Sequence, residues 1–210
     1  MTTTFTGFHQ DDFNVFAIEG LDQRMEAIQN QIRPKLTYLG EHFASQFSLA
    51  TGDEFFFHVA KHARRTVNPP KDTWVAWAND KRGYKKHPHF QIGLWGTHLF
   101  VWYAVIYESP WKVEIGGRME QQLKHIQSLV PDHYHWSPDH MKPESTSQLE
   151  LGEAGLRNLV TRLQNVKKAE LLCGITIDRN DPVLQDKDAL LARLTETFDV
   201  LTRLYVLNRG

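Results

Sequence analysis

Apolar residues recur at two periods along this chain, and the change of period divides it. Phe8, Phe13 and Phe16, set around Asp11 and Asp12, predict a short helix. From Leu21 onward, Met25, Ile28 and Ile32 fall on one face at helical spacing, and the face resumes at Leu36, Leu39, Phe43 and Phe47. Pro34 lies between the two runs and should kink or divide the helix, because proline lacks an amide donor. Thr51-Gly52 predicts its stop. The period then falls to two. Phe55, Phe57 and Val59 alternate with Phe56, His58 and Ala60, and Thr73-Trp74-Val75-Ala76-Trp77 is short and rich in strand formers. His89–Trp95 and Leu99–Tyr107 follow, with Gly96-Thr97 between them as a hairpin turn. Leu99–Tyr107 is apolar on both faces, which predicts an interior strand covered on both sides.

Helices and strands alternate in the C-terminal half. Met119, Leu123, Ile126 and Val130 predict a helix ending before Pro131, and Tyr134–Trp136 a short strand. Leu156, Leu159, Val160 and Leu163 predict another helix, and Glu170–Ile177 a buried strand. Asp186 can cap a last helix whose face is Leu190, Leu194, Phe198, Leu201 and Tyr205. The order predicts an α+β fold, an antiparallel-dominated sheet flanked by helices, in a single domain spanning residues 1–210.

Composition changes this picture little. A 210-residue chain with 41% hydrophobic and 23% charged residues can bury a sizeable core. Its lone cysteine, Cys173, excludes an internal disulfide; with Leu171, Leu172 and Ile175 around it, it reads as an inert core thiol. Met1–Thr6 lacks the features of a secretory signal, and Leu99–Tyr107 is too short to span a bilayer as a helix, so a cytoplasmic location without membrane partners is expected.

Charge changes it more. Between Lys61 and His89, eight basic and two acidic side chains give +6 in a chain whose formal net charge is −1. Such segregation predicts an anion site. Arg64 and Arg65 precede Asn68-Pro69-Pro70, a stiff bend, and arginine's planar fork suits phosphate or carboxylate. Lys81, Arg82 and Lys85 lie in a second turn that could bring more charge to the same edge. Tyr84, expected to be exposed there, is a candidate to stack on a base, and His62, His89 and Gln91 are candidate pocket liners. Histidines are numerous, but no His-Glu-x-x-His or Cys-His cluster occurs, and no metal site is expected. Glu108 and Asp139 are weaker candidates for acid–base work. No phosphate-binding glycine loop or nucleophile elbow is present.

Several runs resemble the YktB family of uncharacterised proteins from Bacillus-type bacteria. They include Val59–Pro70, Asp72–Ala76, Lys81–Lys85, Pro88–Trp95 and Val166–Ile175. The resemblance implies an antiparallel sheet flanked by helices, with a topology similar to the catalytic domain of biotin ligases and class II synthetases. It implies no catalytic residues and no cofactor. The leading expectation is a protein that binds a phosphate-bearing ligand, a nucleotide or an RNA segment, on a basic sheet edge. An ATP-dependent ligase- or transferase-type enzyme and a structural interaction protein docking an acidic partner are the alternatives.

Overall fold

The period-two segments in the middle of the chain pair in sequence order. The computed structural model describes residues 5–209. In it β1 (Phe56–Val59), β2 (Asp72–Ala78), β3 (His89–Trp95) and β4 (His98–Val105) form an antiparallel meander. β7 (Leu171–Asp178) then pairs with β4, and β5 (His135–Ser137) with β7. β6 (Thr146–Ser147), a two-residue strand that the hydrophobic pattern does not announce, completes the order β1-β2-β3-β4-β7-β5-β6. Every pairing is antiparallel.

Helices cover one face of this sheet. α3 (Arg33–Thr51) packs on β1 and β2, and α7 (Lys187–Asn208) on β4 and β7. Between sheet and helices lies the main core, which includes Phe43, Phe47, Trp77, Phe90, Tyr103 and Phe198. Phe47 stacks on Phe90 at 4.3 Å, and the Trp77 indole donates to the Gly40 carbonyl at 2.9 Å. α7 starts where expected: the Asp186 side chain accepts the amides of Asp188 and Ala189.

Three local expectations are corrected. Pro34 neither breaks nor divides its helix. α2 (Leu21–Ala27) passes through a π-helical turn, Ile28–Ile32, into α3, so the wide turn absorbs the missing donor just ahead of the proline. The helix expected up to Val130 is two, α4 (Lys112–Gln121) and α5 (Leu123–Leu129), broken at Gln122, whose ψ is 15°. The helix around Leu156 is preceded by a shorter one: α6 (Gln148–Asn165) opens on a capping box between Ser147 and Glu150 and kinks at Gly152, whose φ is 60°.

β4 is interior and buried on both faces, as expected, but helices cover only one of them. Leu99, Val101, Tyr103 and Val105 enter the main core. Phe100, Trp102 and Ala104 point the other way, into a small second cluster with Trp95, Ile106 and Leu172, against which Trp74 packs. Loops cover that face, and they leave a cleft in it.

Candidate functional site

Alternation along three strands builds the floor of this cleft. Asp72 and Trp74 share a face of β2, Gln91 and Trp95 of β3, and Phe100 and Trp102 of β4. The rings lie flat because glycine faces them. A Cβ at Gly93 would fall 2.3 Å from the tip of Phe100, and one at Gly174 would fall 3.0 Å from the Trp102 ring. The loop after β5 forms the opposite wall, with Ser137, Asp139, His140, Lys142 and Pro143. The enclosed and adjoining space is about 390 Å³, but between the walls it is narrow, with room for about one water.

Of the expected pocket liners, Gln91 is on the cleft wall, and His62 and His89 lie behind it, against Trp74 and Gln91. The His62 ring meets Trp74 edge-on at 5.5 Å and pairs with the Thr73 hydroxyl at 3.2 Å. Tyr84 is half-buried, not exposed: its turn folds back over the sheet, its hydroxyl accepts the Trp74 indole N–H at 2.9 Å, and its ring meets His89 at 4.9 Å. His89 Nδ1 donates to the His87 carbonyl at 2.7 Å, which leaves Nε2 to accept from the Gln91 amide at 2.8 Å. Burial pushes the His62 and His89 pKa values down to about 4, so both rings are neutral near pH 7. His62 is also the one non-glycine residue with positive φ, 51°, among the described residues.

The expected cations lie in two loops. Arg64 and Arg65 lie in the loop that leads into β2, whereas Lys81, Arg82 and Lys85 lie in the loop that leaves it. Lys85 turns toward Glu108 at 3.5 Å, and Lys81 and Arg82 are exposed. Arg64 and Arg65 have no carboxylate within 4.0 Å among the described residues. Arg65 Nη1 donates to the Asn68 carbonyl at 3.4 Å, and its charge acts on both His62 and Asp72. The Pro70 end of this loop is tied down by Arg24, which donates to the Pro70 carbonyl at 2.9 Å.

Two acidic groups escaped the sequence reading. Asp72 is 8% exposed and lines the cleft. It has no ion pair and no hydrogen bond from another residue's side chain among the described residues, although Arg65 and His140 act on it at longer range. Burial pushes its pKa up to about 6 against the pull of those two charges. Glu170, 4% exposed, accepts His140 Nδ1–H at 2.7 Å and the His140 amide at 3.0 Å. Lys112 donates to the carbonyls of Val166 and Ala169 and so fixes the turn just ahead of Glu170. Burial pulls the His140 pKa down, but the hydrogen bond and charge of Glu170 outweigh it and the net shift is upward. Donor atoms of Asp139, His140 and Glu170 lie within 4.8 Å of one another, close enough to suit a metal ion.

The sequence as a whole matches the family described as "Domain of unknown function (DUF1054)" over residues 8–205. The chain belongs to the DUF1054 family. A UPF0637 protein of Bacillus velezensis is 54% identical over 202 residues, 96% of each chain. Relatives of the same designation in Bacillus licheniformis and Bacillus cereus are 53% and 47% identical, the latter over 97% of this chain and 98% of its own. These matches bear out the resemblance to an uncharacterised Bacillus-type family. No helix among the described residues of this DUF1054 protein is long and apolar enough to cross a membrane.

Proposed function

We propose that this DUF1054 protein binds a small phosphate-bearing ligand at the mouth of the open-face cleft. The observation that carries the reading is the pairing of two features. Arg64 and Arg65 stand without a carboxylate partner on a tethered loop, and that loop leads directly into the cleft-lining segment at Asp72 and Trp74. A held loop loses less entropy on binding than a mobile one. Guanidinium groups give paired donors to phosphate oxygens, while His62 and Gln91 offer polar contacts beside a flat aromatic floor. Lys142, on the far wall and 3.8 Å from Asp139, adds a third cation. Lys81, Arg82 and Lys85 form an outer field that steers anions rather than contacting them. Of the possible ligands, a nucleotide suits a narrow cleft better than an extended RNA, which needs a continuous basic track. The lone, buried thiol fits a reducing, cytoplasmic setting.

A thermal-shift screen with mono- and dinucleotides, short RNA and inorganic phosphate tests this. Binding at a hundredfold excess over Kd adds about 2.7 kcal/mol to the folded state. The double variant Arg64→Ala, Arg65→Ala should lose most of that gain. Equal stabilisation of the wild type and the double variant by every phosphate compound refutes the reading, as does no stabilisation of either.

One observation favours a second reading, in which the bound ligand is also transformed. Glu170 fixes the His140 tautomer with its proton on Nδ1, the geometry that aims the other ring nitrogen as a base. His140 lines the same cleft as Asp72. Turnover of a bound compound that disappears in His140→Gln, with binding retained, would support it.

A further inference from the structure

We infer that the floor of the cleft is a seat for an organic cation, an ammonium or quaternary ammonium group, with Asp72 as its counter-ion and the indoles of Trp74, Trp95 and Trp102 as its walls. Four observations converge on this. Asp72 is 8% exposed and lines the cleft, and its carboxylate has no cation within 4.0 Å among the described residues. A buried carboxylate is ordinarily paired, because taking an isolated charge out of water is unfavourable. Asp72 also sits directly across the strand pair from Trp95, so charge and ring are neighbours by register. The rings themselves have no cation from their own chain. Cation–π contacts occur at Phe8, Phe13 and Tyr38, on the other side of the sheet, and none at the cleft aromatics among the described residues.

The geometry also explains why the rings are held ready. The Trp74 indole N–H is fixed by the Tyr84 hydroxyl, so its edge is occupied. Phe100 and Trp102 are inclined by only 21° to one another, and each lies against a glycine of a neighbouring strand. Tryptophan faces attract cations through the ring quadrupole, most strongly where water is excluded. An aromatic floor with a single acid at its edge is therefore matched to a cation that hydrogen-bonds little.

Arg65 and His140 oppose a bare cation, since both are positive charges acting on Asp72. The class that satisfies all three is a zwitterion. Its ammonium end meets Asp72 and the tryptophans, and its anionic end lies outward toward Arg64, Arg65 and Lys142. The anionic half of this inference rests on the phosphate reading above; the cationic half does not. Between its walls the cleft has room for about one water, so the 137–144 loop must move outward for the ammonium end to enter.

The test uses the full chain and three probes: choline, phosphocholine and inorganic phosphate, followed by tryptophan fluorescence and calorimetry. The expected result is saturable binding of phosphocholine and weaker binding of choline. Asp72→Asn should weaken both at least tenfold, and the Arg64→Ala, Arg65→Ala double variant should weaken phosphocholine alone. If choline and phosphocholine bind equally well, the cation seat stands and the phosphate reading falls. If phosphate or a nucleotide binds but neither choline compound does, the cation seat is overturned while the phosphate reading stands. Undiminished choline binding in Asp72→Asn also overturns it, and binding of no phosphate compound and no choline compound overturns both.

Discussion

Replacing Asp72 by Asn should make the protein more stable at neutral pH, and by an amount that depends on pH in a defined way. Burial raises the Asp72 pKa from 3.8 to about 6. Below about pH 4 the carboxyl is protonated in both folded and unfolded chains, and the charge has no effect. Between pH 4 and 6 the unfolded chain releases the proton while the folded one keeps it, so stability falls as pH rises. Above pH 6 the whole penalty is present. A shift of two units corresponds to roughly 3 kcal/mol, since one unit is about 1.4 kcal/mol. Arg65 and His140 already moderate the shift, so this is the net figure after their pull. Asparagine keeps the shape and removes the charge. Urea unfolding of both proteins at intervals from pH 4 to 8 measures the difference. Asp72→Asn should match the wild type near pH 4 and exceed it by up to about 3 kcal/mol at pH 7.5, a rise in Tm on the order of 6–12 °C for a chain of this size. A difference that is the same at every pH, or a variant less stable than the wild type at pH 7.5, would falsify the burial argument.

Three further outcomes are expected. Gly93→Ala should destabilise by about 1–3 kcal/mol in urea unfolding, because its Cβ would fall 2.3 Å from Phe100, 2.5 Å from the Thr73 carbonyl and 2.7 Å from the Trp74 Cβ; a neutral variant would mean that the aromatic floor is loose. Glu170→Gln should lower the His140 midpoint in an NMR titration, since burial alone pulls it down and Glu170 holds it up; an unchanged midpoint would remove Glu170 as its partner. Cys173, fully buried with its pKa raised well above the usual thiol value by desolvation, should react with a thiol reagent only as fast as the chain unfolds, and labelling at the rate of the denatured protein would contradict the packing.

The fold was legible in the sequence wherever pairing is local. β1 to β4 form a meander, so each strand's neighbour is the next period-two segment, and Leu99–Tyr107 could be placed inside the sheet from its composition alone. The site was legible only in part. Of the residues singled out from the sequence, Gln91 is the one that lines the cleft, and His62, Tyr84 and His89 lie beside it because they are close along the chain to β2 and β3. His140 and Glu170, 30 residues apart, meet because β5 pairs with β7, a contact that no local spacing announces. Asp72 was the subtlest miss. At the head of a strand an acid reads as a solvated end, but its period-two relation to Trp74 places it on the aromatic face.

That face departs from the rules for a stable fold at three neighbouring points. An acid is buried without a partner at Asp72. A residue with a Cβ is held at positive φ at His62, where a left-handed backbone costs about 1–2 kcal/mol. A fully buried histidine, His89, is kept neutral by its burial, with its ring nitrogens bonded to the His87 carbonyl and the Gln91 amide. On the opposite face of the same sheet Val75, Trp77, Phe90, Ile92, Val101 and Tyr103 meet the helices in the main core. Consistent local choices produce stability, and concentrated exceptions locate function. The exceptions here also share a chemistry. Two neutral imidazoles, a free carboxylate and a row of indoles suit a ligand with a cationic end, and the unpaired arginines one strand-entry away suit its anionic end. If Asp72→Asn stabilises the chain and abolishes choline binding together, the same side chain will have been shown to weaken the fold and to hold the ligand.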